Sequence, residues 1–189
     1  MKSKDFKKYF NSALEIVKLN PKEIIKVAKN KDATLWGLIF VAIAGLATAI
    51  GMLNFRGIIG MAVGYLIWTF IIVGIWWVIA KAFGGKAGFV EQYRAQSVGI
   101  VAYWLGVIPI VGPMILWLVE IWYMVMSVSI VKNVHKLKTW QAVVVVVVPI
   151  VVILVLFLIF LATIIGLLVA WGLSSPEELE QLQQLSAMR

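Results

Sequence analysis

The most constraining feature of this chain is an apolar run at residues 142–173, which holds 32 positions without a charged side chain. About 20 apolar residues in an α-helix, at about 1.5 Å per residue, cross the hydrocarbon core of a bilayer. Lipid cannot hydrogen-bond to peptide groups, so only helices or closed barrels span it. Four shorter apolar blocks precede the long run, at residues 34–53, 57–80, 95–111 and 114–131. The sequence therefore predicts an all-α polytopic membrane protein with five transmembrane helices, preceded by amphipathic interfacial helices.

The composition restricts the chemistry that the protein can perform. Apolar residues make up 62% of the 189 positions, whereas soluble domains contain roughly half. The chain has no cysteine, which excludes disulfides and cysteine-based metal sites. It also shows no Ser-His-Asp set, no paired catalytic carboxylates and no His-Glu-x-x-His motif. We therefore predict a protein that is not an enzyme and that uses no cofactor or metal.

The positive charges fall almost entirely on one side of the predicted topology. With a cytoplasmic N-terminus, 15 of the 17 Lys and Arg residues lie in cytoplasmic segments, and only Arg56 and Arg189 lie outside. Positively charged loops stay cytoplasmic during membrane insertion, so we predict a cytoplasmic N-terminus and an external C-terminus. The net charge of +8 then reflects orientation and attraction to anionic lipid, and no binding of nucleic acid is predicted.

This topology divides the chain into three regions. Residues 1–33 form a cytoplasmic amphipathic region, residues 34–173 form the five-span membrane domain, and residues 174–189 form a short extracytoplasmic tail. In the first region, Asn20 suits the N-cap of a short helix that begins at Pro21. We expect Ile24, Ile25 and Ala28 of this short helix to face the membrane.

An amphipathic helix is also predicted over residues 4–19. Phe6, Tyr9 and Phe10 recur on one face, and Lys7 and Lys8 lie opposite. Aromatic residues on one face and lysines on the other suit the cytoplasmic interface of a bilayer. This surface therefore either rests on lipid headgroups or docks a protein partner.

Glu120 is the only ionisable side chain well inside a predicted span, where a charge is costly and marks a paired or functional position. Counting equal numbers of residues away from a turn near residue 111 brings Tyr103 beside Glu120 and Gln96 beside Ser127. Tyr123 and Ser127 share the Glu120 face of their helix. We predict that these five residues form a polar seam between the third and fourth spans. The seam acts as structural glue, as a proton or ion relay, or as a wet cavity for a polar headgroup.

The connection between those two spans is predicted to be a tight helical hairpin. It carries no charge and contains Pro109, Gly112 and Pro113. Proline and glycine interrupt helices, so these residues are the predicted hinge.

Two polar segments between spans have simple interpretations. Residues 84–88 read Gly-Gly-Lys-Ala-Gly, lack the spacing of a phosphate-binding loop, and are predicted to form a flexible turn. His135 lies among lysines, and we expect it to be solvated or to face headgroups.

The first two spans contain pairs of small residues at a spacing of four. They are Ala47 with Gly51 and Gly60 with Gly64. Small residues at this spacing let helix backbones approach closely. We expect both pairs to pack within the chain.

Four short segments follow one another along the chain. They are Leu-Asn-Pro-Lys-Glu at 19–23, Phe-Gly-Gly-Lys-Ala-Gly-Phe at 83–89, Ile-Pro-Ile-Val-Gly-Pro at 108–113, and Val-Lys-Asn-Val-His-Lys-Leu-Lys-Thr-Trp-Gln-Ala at 131–142. By their order and spacing, the chain resembles the prokaryotic branch of the Yip family, membrane proteins named for interaction with Ypt/Rab GTPases.

The resemblance implies five spans and a cytoplasmic N-terminus and, in eukaryotic members, vesicle traffic with Rab binding. Eukaryotic members also have a longer N-terminal region and an Asp-Leu-Tyr-Gly-Pro motif, where this chain has Leu35-Trp36-Gly37. The compact chain favours a prokaryotic plasma membrane.

The resulting hypothesis is a non-enzymatic, membrane-organising or trafficking-type scaffold. It would bind lipid, with anionic lipid at the cytoplasmic face, and a partner protein through residues 1–33. By family analogy that partner is a Rab-type GTPase. The alternative is a small transporter, channel or lipid-moving protein that uses Glu120.

Overall fold

The computed structural model describes residues 3–173, together with residues 184 and 187. Within that part of the chain every secondary-structure element is a helix, which confirms the all-α prediction. The elements are α1 (Ser3–Val17), α2 (Pro21–Lys29), α3 (Ala33–Gly51), α4 (Ile58–Ala82), α5 (Phe89–Gly99), a 3-10 helix (Ile100–Val107), α6 (Val111–His135) and α7 (Thr139–Leu173). The predicted tail at 174–189 lies outside the described residues, apart from those two positions.

Among the described helices, four are long and apolar enough to cross a membrane: α3, α4, α6, and α7 as far as residue 168. The chain is therefore a multi-pass membrane protein. The predicted third span, 95–111, is not one continuous helix. It begins inside α5, which has 11 residues, and continues through the 3-10 helix, which has 8.

The helix is interrupted where the side chains change from polar to apolar and where α1 and α6 approach the backbone closely. The apolar run at 95–111 omitted the polar beginning of α5, residues 89–94, which includes the buried Gln92. At the end of α5, a Cβ on Gly99 would lie 2.9 Å from Ile16 Cγ2 and 2.9 Å from Met126 Cε. A 3-10 helix as long as the one that follows is uncommon and often marks a functional or strained segment.

The core lies around α3, which packs against α4, α5 and the 3-10 helix. A Cβ on Gly45 would lie 2.6 Å from Ala62 Cα of α4, and Gly51 lies against the carbonyl oxygen of Gly106 in the 3-10 helix. Small residues therefore let α3 approach two neighbours, and the pair that contains Gly51 packs within the chain as predicted.

The second small-residue pair does not follow the prediction. Gly60 and Gly64 of α4 have no heavy atom within 4 Å of an added Cβ. Both glycines are exposed. The prediction of packing within the chain is wrong here, because the helix turns its other face, with Val73 and Trp76, toward its neighbours.

Helices α1 and α2, which we call the N-terminal cap, pack onto the bundle. Tyr9, Ala13 and Ile16 of α1 are buried, and so are Ile24 and Ala28 of α2. The cap lies against α5, α6 and the 3-10 helix. For Ile24 and Ala28 the expected membrane contact is wrong, because protein covers this face of α2, whereas Ile25 is exposed.

Hydrogen bonds hold the cap together. Ser12 Oγ donates to Glu23 Oε1 at 2.6 Å, and Asn30 Nδ2 donates to the Tyr9 hydroxyl at 2.8 Å. Asn20 is the N-cap of α2, and its side chain accepts from Lys22 N at 3.1 Å. The predicted start of α2 is thus confirmed.

Most basic side chains gather at the end of the bundle that holds the cap, which we call the lysine-rich end. Arg94 Nη1 joins α5 to the cap through Ala28 O at 3.1 Å. Lys86 N donates to His135 O at 3.3 Å, which joins the turn after α4 to the end of α6. The exposed lysines of this end are Lys4, Lys7, Lys8, Lys18, Lys22, Lys26, Lys29, Lys31, Lys81, Lys86, Lys132, Lys136 and Lys138.

The last helix, α7, contains Pro149 inside its 35 residues. Its first part belongs to the compact unit that ends at Pro149, and there Ala142, Val145 and Val146 are buried. Residues from Ile150 onward form a second unit, whose side chains at 151–168 are exposed. An apolar helix exposed in this way is typical of a segment whose solvent is lipid.

Candidate functional site

The candidate site is centred on Glu120 of α6, which is half-buried. The Tyr103 hydroxyl of the 3-10 helix donates a hydrogen bond to Glu120 Oε2. Tyr103 is itself buried. The structure thus brings together the first pair of residues that the hairpin count placed side by side.

The turn before α6 determines this alignment. Ile110 adopts a positive φ of 64° as the N-cap of α6, and its N–H donates to Gly51 O at 3.0 Å. Gly112 N donates to Ile108 O at 2.7 Å, and a Cβ on Gly112 would lie 2.6 Å from Gly106 O. The turn therefore packs against both α3 and the 3-10 helix.

The three predicted hinge residues occupy different parts of this turn. Pro109 is exposed, Gly112 is buried, and Pro113 lies in the first turn of α6. Pro113 is tolerated there because the first N–H groups of a helix have no partner within the helix. Sequence reasoning did not identify Ile110, whose backbone makes the contact with α3.

Aromatic rings surround the Glu120 carboxylate. The Tyr103 ring lies 5.3 Å from the Tyr123 ring and 6.1 Å from the Tyr65 ring, both edge-on. The hydroxyls of Tyr65 and Thr48 are 2.9 Å apart, and Thr48 Oγ1 donates to Ala44 O at 2.9 Å. Tyr65 and Thr48 were missed in the sequence, where their polar hydroxyls inside apolar helices are the only signal.

The second predicted pair lies closer to the lysine-rich end. Ser127 Oγ is 3.3 Å from Gln96 Oε1 and donates to Tyr123 O at 2.7 Å. Both side chains are fully buried. Neither Gln96 Nε2 nor the Tyr123 hydroxyl has a hydrogen-bond partner among the described residues.

A third polar pair, which sequence reasoning missed, lies one turn further along α5. His135 Nε2 is 2.8 Å from Gln92 Oε1, and both side chains are fully buried. The prediction of a solvated His135 is wrong, because Gln92 and the turn after α4 cover the ring. The available signal was the helical spacing of His135 from Tyr123 and Ser127.

The turn at residues 84–88 is fitted to this histidine. A Cβ on Gly85 would lie 2.5 Å from His135 Nδ1 and 2.7 Å from Ala80 O. Gly84 has a φ of +82°, which glycine adopts without strain. The interpretation of this segment as a free, flexible turn is therefore wrong.

The predicted docking residues of α1 divide into two groups. Phe6, Tyr9 and Phe10 join an aromatic cluster with the rings of Trp36, Phe40 and Trp104. Tyr9 stacks on Trp36 at 5.5 Å, and burial raises the pKa of its hydroxyl. Lys7 and Lys8 remain exposed. Tyr9 is therefore not available to a partner, whereas the two lysines are.

A cavity of about 560 Å³ opens between α1 and the start of α3. Lys8 and Lys31 line it, together with Asp5, Asp32 and Leu35. Among the described residues, no group of three His, Cys, Asp or Glu side chains is arranged to hold a metal ion.

Comparison with known proteins assigns a family. Residues 14–162 match the family model of the Yip1 domain. No curated protein and no solved structure matches the chain. The match covers the cap from the last turn of α1, all of α2 to α6, and most of α7.

Proposed function

Because the chain belongs to the Yip1 domain family, we propose that it is a non-enzymatic protein that organises the membrane by binding lipid and a partner protein at its lysine-rich end. The observation that best supports this proposal is the packing of the N-terminal cap. Tyr9 is buried, Phe6 and Phe10 contact rings of the bundle, and the lysines of the cap are exposed. A rigid, basic surface attracts the anionic headgroups of a cytoplasmic leaflet.

The cavity between α1 and α3 is the proposed headgroup site. Lys8 and Lys31 would bind a phosphate, while Asp5 and Asp32 would accept hydrogen bonds from headgroup hydroxyl or ammonium groups. Leu35 is 59% exposed and lies where the acyl chains of such a lipid would enter the bilayer.

Matched charge variants test this site. Lys8→Gln with Lys31→Gln alters the cavity, whereas Lys22→Gln with Lys29→Gln removes the same charge from exposed positions of α2. Native mass spectrometry of the purified protein would measure retained anionic lipid. We expect a several-fold loss only in the first double variant. An equal loss in both would show that net charge alone holds the lipid.

The proposed topology has five crossings, with the third made jointly by α5 and the 3-10 helix. Eleven α-helical residues rise about 16 Å and eight 3-10 residues rise about 16 Å, which together match a core of about 30 Å. The lysine-rich end is then cytoplasmic, the C-terminus is outside, and the membrane is a prokaryotic plasma membrane.

Cysteine labelling tests the number of crossings, since the native chain has no cysteine. Lys4→Cys and Ala187→Cys place single thiols near the two ends, at exposed positions. Five crossings predict that an impermeant maleimide labels only Ala187→Cys in intact cells. If both thiols are protected or both react, the number of crossings is even.

The hydrogen bond between Glu120 and Tyr103 favours a second candidate function, in which the protein moves protons, ions or lipid. An acid inside a span is by default a functional position. Reconstitution in liposomes, with ion and lipid flux measured for the wild type and Glu120→Gln, separates the candidates. Flux that disappears in the variant would support transport, and background flux in both would exclude it.

A further inference from the structure

Buried polar side chains continue from Glu120 toward the lysine-rich end. On α6 they are Tyr123, Ser127 and His135, and on α5 they are Gln92 and Gln96. Each α6 residue is a multiple of about three to four positions from the next, which keeps them on one helix face. The polar seam therefore extends along the whole contact between α5 and α6.

Most of the buried polar atoms without a protein partner lie in this contact. Within the described part of the chain there are six such side-chain atoms, and five belong to α5 and α6. They are the hydroxyls of Tyr93 and Tyr123, Nε2 of Gln92 and of Gln96, and Nδ1 of His135. Native proteins pair such atoms with protein or with bound water, because an unpaired buried donor is costly.

Rotating the amide groups does not pair these atoms. Gln96 has one side-chain contact, to Ser127, so exchanging its oxygen and nitrogen leaves the other amide atom without a partner. The same holds for Gln92, whose side-chain contact is with His135. The unpaired atoms are thus a property of the arrangement and not of the assignment of amide orientation.

The spacing of the pairs suits single water bridges. Tyr123 and Ser127 follow Glu120 on α6 at steps of three and four positions, about 4.5 and 6 Å along the axis. Gln96, beside Ser127, and Gln92, beside His135, are four positions or about 6 Å apart along α5. One water with two hydrogen bonds of about 2.8 Å, at a near-tetrahedral angle, joins polar atoms about 4.5–5 Å apart. Buried waters typically hold about three such bonds to otherwise unpaired groups.

We propose that the contact between α5 and α6 is a hydrated track, in which a line of bound waters runs from Glu120 toward the lysine-rich end through Tyr123, Gln96 and Gln92, with the buried His135 as its last member. The presence of water in the track does not depend on the second candidate function. Only the use of the track as a proton path rests on that function. A hydrated track supplies a path for protons to Glu120, but water in the track and net flux are separate observations.

Radiolytic hydroxyl labelling of the full chain in liposomes tests the track, because radicals form at waters bound beside a side chain. Tyr123 and Met126 report on it, since both are buried and flank Ser127. Trp117 of the same helix is the control, since it is 78% exposed on the lipid side. We expect at least several-fold more labelling of Tyr123 and Met126 than of Trp117.

The variant Gln96→Leu removes the central amide with little change in volume, and we expect it to reduce the labelling of Tyr123 several-fold. The matched control is Thr48→Val, which removes a buried hydroxyl from α3. Labelling of Tyr123 and Met126 no higher than that of Trp117 in the wild type would overturn the proposal, whether or not the variants fold. Labelling of Tyr103 alone would overturn the connection to the lysine-rich end. If Tyr123 and Met126 are labelled but ion and lipid flux stay at background, the result would support this inference and exclude transport.

Discussion

Arg94 Nε donates a hydrogen bond of 2.8 Å to Thr34 Oγ1, and this contact joins the middle of α5 to the start of α3. The same guanidinium donates through Nη1 to Ala28 O of the cap at 3.1 Å. Arg94 was counted in the sequence only as a charge that orients the chain in the membrane. In the structure it links three helices at the lysine-rich end.

We therefore expect Arg94→Lys to destabilise the protein although it keeps the charge. A single ammonium does not reproduce the forked geometry of a guanidinium, and hydrogen bonds to charged groups contribute about 1.5–3 kcal/mol. The free energy of unfolding in detergent should fall by about 1–3 kcal/mol. Arg56→Lys, at an exposed position, is the control, and an equal loss there would contradict the prediction.

The two tyrosines of the seam should respond differently to loss of the hydroxyl. Tyr103→Phe leaves the Glu120 carboxyl without its donor and should lower the free energy of unfolding by about 1–3 kcal/mol. Tyr123→Phe removes a hydroxyl that has no protein partner among the described residues, and it should lower the free energy of unfolding by less than about 0.5 kcal/mol. Chemical unfolding of both variants checks this, and equal losses would show that burial, not the hydrogen bond, decides stability.

The fit of the turn after α4 to His135 predicts a steric effect. Gly85→Ala places a methyl group 2.5 Å from His135 Nδ1, and such overpacking typically costs about 1–3 kcal/mol. Gly60→Ala on α4 meets no atom within 4 Å and should be neutral or stabilise by up to about 1 kcal/mol. Thermal unfolding of the two variants measures the contrast. A tolerated alanine at residue 85 would mean that the turn moves freely.

Glu15 predicts a pH dependence of the cap. The hydrogen bond from Asn20, followed by the contact with Lys18, lowers the pKa of the Glu15 carboxyl below its usual value. A carboxyl whose pKa is lower in the folded state stabilises the fold above its unfolded pKa of about 4.3. That contribution is lost as the pH falls from there through the folded pKa. The unfolding temperature of the wild type should therefore decrease more than that of Glu15→Gln below about pH 4.5. If the unfolding temperatures of the two proteins fall in parallel with pH, Glu15 does not contribute to the stability of the cap.

Helical periodicity and residue counting paired residues that lie in contact in the structure. Side chains three, four and seven residues apart align on a helix, and a tight hairpin keeps equal counts at equal depth. These two rules brought Tyr103 to Glu120 and Gln96 to Ser127 from the sequence. They did not reveal Gln92 and His135, because α5 begins before the apolar run by which the third span was recognised.

The faces of the cap could not be predicted for a different reason. An apolar face with flanking lysines has the same pattern whether lipid or protein covers it. Ile24 was therefore expected to face the membrane, and Tyr9 to contact lipid headgroups or a protein partner, whereas the structure buries both against the bundle. Gly60 and Gly64 were expected to pack against protein, and the structure leaves them exposed. Spacing alone does not tell which face of α4 meets a neighbour.

The amino-acid sequence by itself determined that this protein is helical and lies in a membrane, because those properties follow from local apolar length and from the need to pair every peptide group within lipid. Only the tertiary structure decided which apolar faces meet protein, where the third crossing segment changes to a 3-10 helix, and which polar atoms are left unpaired between α5 and α6. Those outcomes depend on contacts between residues far apart in the chain, and no local pattern encodes the partner.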